Sequence, residues 1–419
     1  VPLSGQKFDG HRFLDEAMAK GAAASLWHKE RPLPDAPYPL LLVDDPLNAL
    51  QQLAAAYRSE LSARVIGVTG SNGKTTTKEL IASSLGTVFK VHKTEANLNT
   101  EIGLPLTLLE ADEDTEVIVL EMGMRGRGQI ELLSRIARPD AAVITNVGEA
   151  HLGLLGTREE IARAKLEILC GLREEGLFVY NGDNPLLERE FPRMPKPAKL
   201  VKCRFGADVA NDLHPVGIMR ESGGTRFTTN LDPSQSYYIP LFGQHNVINA
   251  LAAIAVAKWL GASAKEIAGG LADVQLTGMR VEAIKGRAGS TIINDAYNAS
   301  PTSTRAAIEL LRELKGYSRK IAVLGDMLEL GEEAERLHRE IGHLLTPDDF
   351  SHVFTYGPLA QHIAAVAGRS FPPGTVRAYA SKDELIRDLA ALLKSGDVVL
   401  VKGSRGMQLE QVVEQLAEG

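Results

Sequence analysis

A chain of 419 residues with 44% hydrophobic and 24% charged residues is long enough for about three domains and has an ordinary globular balance, which excludes a disordered tail or a low-complexity fibre. No apolar run reaches the ~18 residues that span a bilayer, since the longest, around Val247 to Ala257, is interrupted by Asn249 and ended by Lys258. The formal charge of −7 argues against broad nucleic-acid binding, which rests on basic surface, so any polyanion must be met by a local site.

Val1 to Gly10 show no basic start followed by an apolar run, so a secretory signal is not expected, and the lack of an initial Met leads us to expect a trimmed N-terminus. Two cysteines, Cys170 and Cys203, are too few for a disulfide framework or a cysteine-based zinc site, and the cytoplasm is the simplest compartment.

Val1 to about Ser62 reads as a short α/β unit, with an amphipathic helix near His11 to Lys20, a strand at Leu40 to Val43 and a helix from Leu47 to Leu61. A second α/β unit begins at the buried-looking strand Val65 to Val68, which runs through glycine-rich sequence into a helix near Lys74. Strands at Val117 to Leu120, Ala142 to Val147 and Leu177 to Tyr180 follow with helices between them, the pattern of a mainly parallel sheet. After a helix at Asn246 to Leu260, the stretch from Thr277 to Gly289 turns glycine-rich and charged, and a linker is expected near Glu282 to Gly289. Strands at Thr291 to Asn294, Lys320 to Leu324, Val353 to Tyr356 and Asp397 to Val401 then alternate with helices in a doubly wound pattern. Leu330, Ala334, Leu337, Ile341 and Leu344 fall on one helical stripe and are read as core. The expected fold class is therefore α/β in three sequential domains, 1–62, 63–284 and 285–419. The middle one is a P-loop ATPase domain with a mainly parallel sheet, and the last is Rossmann-like.

Gly67 to Thr76 carries the strongest chemical signal, because it lies between a strand and a helix as a phosphate-binding loop does. Glycines let backbone N–H groups approach phosphate oxygens, the helix N-terminus adds positive potential, Lys74 reaches the β/γ-phosphates, and the Thr75 hydroxyl can ligate magnesium. The usual pattern has glycine five residues before Gly73, and this chain has Val68 there, with glycines at 67, 70 and 73 instead. A tight strand-to-helix turn alone would explain the glycines but not Gly-Lys-Thr-Thr.

Glu121 follows one strand and His151 another, at the carboxyl edge where open α/β sheets bind ligands. Taken alone, Glu121 reads as a solvated strand end and His151 as a structural histidine; the edge they share with the loop makes them metal candidates. Lys165 lies on an amphipathic helix, where most lysines are solvated, although a lysine held neutral near metal and carboxylates can take up carbon dioxide as a carbamate.

Seven blocks in order resemble the Mur ligase family, ATP-dependent enzymes that build the peptide stem of bacterial cell-wall precursors: Thr69 to Thr76, Asn97 to Pro105, Glu121-Met122-Gly123, Gly243 to Ala250, Asn294 to Pro301, Leu324 to Gly331 and Lys402 to Arg405. The resemblance covers nearly the whole chain. It implies ATP held by Thr69, Gly70, Ser71, Asn72, Gly73, Lys74, Thr75 and Thr76, and one or two magnesium ions at Thr75, Glu121, His151 and Lys165, the last carbamylated, with Lys74, His151 and Lys165 as the catalytic groups. It further implies Asn246 and Asn249 at the adenine, Arg280 and Asp295 at phosphate and ribose, and Asn97, Asn99 and Thr100 along the muramyl-peptide substrate. The alternatives remain open: Asn246 and Asn249 can brace a helix, Arg280 can be surface charge, and Asn97 to Thr100 can be a polar turn. In the third domain, which supplies the family's amine site, Asp326 is a candidate for the substrate ammonium and Arg405 for its carboxylate, while capping of a following helix explains Asp326 equally well.

The blocks Leu324 to Gly331 and Lys402 to Arg405 favour the family type that joins D-alanyl-D-alanine to UDP-N-acetylmuramoyl-tripeptide through an acyl phosphate, as a monomer with no nucleic-acid partner. Rivals are a sibling adding one amino acid, a folate polyglutamylating ligase, and a non-catalytic nucleotide-dependent binding module. Gly5 to Phe13 resembles the family's first, uridine-binding domain; a further strand and an Asp-Ser-Arg element precede it in the family, so some uridine contacts are expected to lie upstream of Val1.

Overall fold

The computed structural model describes residues 1–5, 8–35, 38–221, 223–275, 278–279 and 281–418. Its centre is a six-stranded, all-parallel sheet in the order Leu200–Phe205, Gly176–Asn181, Ala141–Ile144, Arg64–Thr69, Val117–Glu121 and Val91–Lys93. Helices cover both faces, so the inner strands are continuous apolar runs, and Val117–Glu121 and Ala141–Ile144 are buried at every residue. Helices Lys74–Leu85 and Gln244–Trp259 close one face through Leu80, Ile81, Val247 and Ile254, while Ile130, Leu133, Ile161 and Ile168 close the other. The neighbours of Arg64–Thr69 lie on opposite sides of it, which makes the end of that strand a switch point where a cleft opens.

Two features of this unit differ from the sequence expectation. The strand expected over Ala142 to Val147 ends at Ile144, because Thr145 and Asn146 leave the sheet to bond the phosphate loop. A three-stranded antiparallel sheet, Pro215–Glu221, Gly224–Thr229 and Asp232–Ile239, is appended to the parallel one. It joins the core by alternation: Phe227, Tyr237 and Ile239 point inward, with the two rings 5.6 Å apart.

The C-terminal sheet runs Glu282–Gly286, Ser290–Asp295, Asp397–Lys402, Arg319–Gly325, His352–Tyr356 and Val376–Tyr379, parallel except for its first strand. The doubly wound pattern is present, but the linker expected at Glu282 to Gly289 is not a linker. Glu282–Gly286 pairs antiparallel with Ser290–Asp295, and a tight turn over Arg287–Gly289 joins them. This edge strand has one neighbouring strand, with only Ala417 and Glu418 bonded on its other side, and among its residues only Gly286 is fully buried, so its composition imitates a loop. The connection therefore precedes Glu282, where Met279 and Val281 adopt positive φ of 66° and 55°. Thr277 and Arg280 lie outside the described residues. The apolar stripe is core as expected, although the helix spans only Ala334–Gly342, with Leu330 and Leu344 packing from beyond its ends.

The N-terminal unit has an antiparallel pair, Ser4–Gly5 with Phe8–Asp9, and a parallel pair, Ser25–His28 with Leu40–Val43. The first helix is shorter than expected, Leu14–Ala19 after a turn over Gly10–Phe13. Helix Pro46–Glu60 starts where the Asp45 carboxylate accepts the Leu47 N–H at 2.9 Å. It reaches the central unit through buried Arg58, which donates to Ala137 O at 3.0 Å and pairs with Asp140. Among the described residues no helix is long and apolar enough to cross a membrane.

Phe178 is fully buried and stacks on Tyr180 at 4.6 Å and on Phe191 at 5.4 Å. Phe178→Ala is expected to destabilise the central unit by about 3–5 kcal/mol, read as a lowered thermal unfolding midpoint; an unchanged midpoint would contradict this packing.

Candidate active site

The phosphate loop runs from Thr69, at the end of its strand, to Lys74, which opens helix Lys74–Leu85. Val68 is fully buried inside the strand, so the usual first glycine has no task there. Gly70 and Gly73 do have one. At φ +155° and +78°, a Cβ on Gly70 would meet Thr145 Oγ1 at 1.8 Å, and one on Gly73 would meet Asn249 Oδ1 at 2.8 Å.

Residues following the neighbouring strand clasp this loop. Asn146 O accepts from Ser71 N–H at 3.1 Å, Asn146 Oδ1 accepts from Asn72 N–H at 3.0 Å, and Thr145 Oγ1 and Asn146 Nδ2 donate to Asn72 O at 2.6 and 3.0 Å. Gly148 N–H adds a bond to Ser71 Oγ at 2.9 Å. Asn146 was not singled out from the sequence, where it stands inside the Thr145 to Leu152 stretch as one more polar residue; only hydrogen-bond accounting shows its importance.

Lys74 Nζ donates to Gly70 O at 2.8 Å. Thr75 Oγ1 donates to Glu121 Oε2 at 2.7 Å, and Asn99 Nδ2 donates to Glu121 Oε1 at 2.7 Å, so loop, strand end and the Asn97 to Thr100 segment meet at one buried carboxylate. Asn97 and Thr100 are exposed on that segment, and Thr100 O accepts from Leu104 N–H at the start of helix Gly103–Leu109. Lys165 is 1% exposed and has no ion-pair partner among the described residues. Burial, with the Lys74 charge adding to it, pushes its amine well below the usual lysine range.

His151 adopts φ 66° at the start of a short turn, and its Nδ1 lies 2.5 Å from Glu329 Oε2 of the C-terminal unit. Burial lowers the pKa of this imidazole against the pull of Glu329, and the Lys74 and Lys165 charges lower it further. Ser300 Oγ donates to Asn72 Oδ1 at 3.0 Å and Thr302 Oγ1 to Glu149 at 2.6 Å, so three residues to which the sequence gave no role cross between units: Ser300 and Glu329, inside two of the family blocks, and Thr302, outside them.

Asn246 and Asn249 are buried, and Asn246 Nδ2 donates to Phe242 O at 2.8 Å, the helix-bracing contact, while Asn249 touches the loop at Gly73. Asp295 pairs with buried Lys402 at 2.5 Å. Asp326 is buried, and one of its oxygens accepts the N–H groups of Leu359 and Ala360 at 3.0 and 2.6 Å, just before helix Gln361–Ala367; the helix that follows Asp326 in the chain, Ala334–Gly342, is not the one it meets. Burial raises its pKa. Arg405 is exposed, pairs with Glu410 at 3.0 Å and lies over the Tyr297 ring. Arg280 lies outside the described residues. In the N-terminal unit a cleft of about 530 Å³ is lined by His11, His28, Arg31 and Asp45, with Ile102 of the central unit at its rim.

Family models match in three consecutive stretches: the Mur ligase family catalytic domain over residues 1–58, the Mur ligase middle domain over 68–257 and the Mur ligase glutamate ligase domain over 279–405. The chain is 49% identical over 418 residues to the UDP-N-acetylmuramoyl-tripeptide–D-alanyl-D-alanine ligase of Bacillus subtilis, covering all of this chain and 90% of the relative. It belongs to the Mur ligase family. Among solved structures, this Mur ligase superposes with MurF from Acinetobacter baumannii at TM-score 0.87 and 32% identity, covering 99% of this chain and 89% of the other. With Thermotoga maritima MurF in complex with ADP the TM-score is 0.86 at 34% identity, covering 99% and 93%.

A methyl group on Gly70 must displace Thr145 from the loop. Gly70→Ala is expected to weaken ADP binding by about 10- to 100-fold, the range of a strained backbone residue, in titration calorimetry; an unchanged affinity would contradict the clasp.

Proposed function

We propose that this Mur ligase uses ATP to join D-alanyl-D-alanine to UDP-N-acetylmuramoyl-tripeptide, giving the pentapeptide precursor of peptidoglycan. The observation that carries this reading is the full-length 49% identity to a ligase of that name, in a chain whose phosphate loop is intact. The free carboxylate of the tripeptide attacks the γ-phosphorus, ADP leaves, and an acyl phosphate forms on the substrate. The dipeptide amine then attacks the acyl carbon, loses a proton and expels phosphate.

The loop amides and Lys74 stabilise charge on the transferred phosphoryl group, and the rest of the rate comes from placement. Thr75 Oγ1, the Glu121 carboxylate and His151 form a donor set of oxygens and one imidazole that suits magnesium, and the Thr75–Glu121 pair already lies at 2.7 Å. Magnesium, when bound there with ATP, neutralises charge on the β- and γ-phosphates. The amine of Lys165, whose charged form burial disfavours, adds carbon dioxide to give a carbamate and a released proton.

Asn246 and Asn249 border the adenine, Asp295 the ribose, and Arg280 a phosphate. Asn97, Asn99 and Thr100 line the path from the N-terminal cleft, assigned to the UDP-linked end of the precursor, to Glu121. Arg405 takes the dipeptide carboxylate, exchanging Glu410 for it, and Asp326 retains one oxygen for the ammonium. We assign the units as residues 1–62, 63–281 and 282–419, the second boundary lying ahead of the edge strand, so that rotation of the amine-binding unit occurs at the segment around Met279 and Val281. ATP and UDP-linked precursors are cytoplasmic, which supports that location, and one chain supplies every residue named, which supports a monomer.

Phosphate release from ATP should require both the tripeptide nucleotide and D-alanyl-D-alanine; release with a single amino acid or a folate instead would overturn the assignment. Lys165→Ala should lose most activity, by about 100-fold or more for removal of a catalytic electrostatic group, and recover part of it with added short carboxylic acids. No recovery in a folded variant would contradict the carbamate.

A further inference from the structure

We propose that Glu329, although it belongs to the C-terminal unit, is the positioning residue for His151, fixing the imidazole so that Nε2 presents its lone pair to the nucleotide–metal site only while the amine-binding unit is docked. This rests on the reading of the site given above and deepens it.

The geometry begins with the contact between His151 Nδ1 and Glu329 Oε2 at 2.5 Å. A carboxylate only accepts, so Nδ1 carries the hydrogen, and in the neutral ring the lone pair is then on Nε2. Among the described residues Nε2 has no hydrogen-bond partner. A histidine that binds a metal through one nitrogen commonly donates from the other to a carboxylate, which sets its tautomer and ring orientation. Here that carboxylate comes from a different unit of the chain.

Glu329 is held for this task. Its backbone takes φ 64°, a conformation unfavourable for a residue with a Cβ, and its carbonyl accepts Gly153 N–H across the interface at 2.9 Å. The loop behind it is anchored in its own unit: Met327 N–H donates to His338 Nε2 at 2.9 Å and Leu328 N–H to Ser404 Oγ at 2.9 Å. On the facing side Gly153 packs on Gly331 so closely that a Cβ on Gly153 would lie 2.6 Å from Gly331 N. Thr302 grips Glu149 at 2.6 Å, two residues before His151. The segment that carries His151 thus touches the C-terminal unit at both ends, and two glycines set the distance of approach. Glu329 is 43% exposed, so the pair adds little adhesion and its contribution is direction. When the amine-binding unit swings away, the imidazole loses the partner that selects its tautomer, and the metal site is complete only once the unit that brings the amine has arrived.

The test uses manganese as the probe for the dication, with ADP and the full-length protein. Binding is followed by electron paramagnetic resonance, and the His151 tautomer by nitrogen chemical shifts of histidine-labelled protein. Glu329→Ala is expected to weaken manganese binding in the presence of ADP by about 10-fold or more and to replace the single Nδ1–H form by a mixture, with the unfolding temperature unchanged. Gly153→Ala keeps both side chains and wedges the units apart, and should produce the same two changes. Variants that bind manganese as tightly as the parent with the tautomer retained would overturn the role of Glu329. A parent protein that binds no manganese with ADP would instead overturn the metal site, and the inference with it.

Discussion

Four hydrogen bonds from Thr145 and Asn146 to Ser71 and Asn72 hold the phosphate loop in the shape that its glycines permit, and the rest of the site is built outward from that clasp. They tie the end of one central strand to the turn that follows its neighbour, with the Ser71 and Asn72 N–H groups committed to Asn146, so the loop backbone is held in one shape without a nucleotide. Such preorganisation matters more for phosphoryl transfer than any single contact, because there is little covalent work for the protein to do. Gly73 against Asn249 extends the clasp to helix Gln244–Trp259, and Thr75 against Glu121 extends it to the segment at Asn99.

The contacts that bring the C-terminal unit to this centre have another character. Ser300 to Asn72, Thr302 to Glu149 and Glu329 to His151 are polar bonds made by residues at the carboxyl edge of one sheet to residues at the carboxyl edge of the other. Each is worth about 0.5–1.5 kcal/mol net, and less where solvent reaches it. A few such bonds over a close glycine contact give an interface that forms and releases, as an enzyme that must admit a precursor and a dipeptide requires. The hydrophobic cores divide differently: Ala54 and Leu61 of the N-terminal unit belong to a core of the central unit, whereas the C-terminal cores meet the central unit's only at their margins, as at Leu152, whose side chain packs against clusters on both sides.

Those parts of the molecule that rest on local chemistry were legible in the sequence. Gly67 to Thr76 announced the phosphate loop, and the apolar runs at Val117 to Leu120 and Asp397 to Val401 announced buried parallel strands, since both signals depend on neighbours along the chain. What escaped depends on neighbours in space. Glu282–Gly286 reads as a loop because an edge strand with one partner needs few buried side chains. The small antiparallel sheet around Phe227 was hidden by its mostly exposed first strand. The contacts that Asn146, Ser300 and Glu329 make across the site have no spacing signal, because each joins residues more than 70 positions apart. Asp326 matched a family block and lies at a sheet edge, yet one of its oxygens is committed to two backbone N–H groups, a use that only the packed loop reveals.

The proposed reaction centres on an acyl phosphate formed on the tripeptide carboxylate at the clasped loop. Its most direct test is to label that carboxylate with oxygen-18, run one turnover with ATP and D-alanyl-D-alanine, and weigh the phosphate released. The expected result is one labelled oxygen per phosphate, since the bridging oxygen leaves with phosphorus when the amine attacks the acyl carbon. Unlabelled phosphate accompanied by ligation would contradict the acyl phosphate and, with it, the purpose assigned to the site.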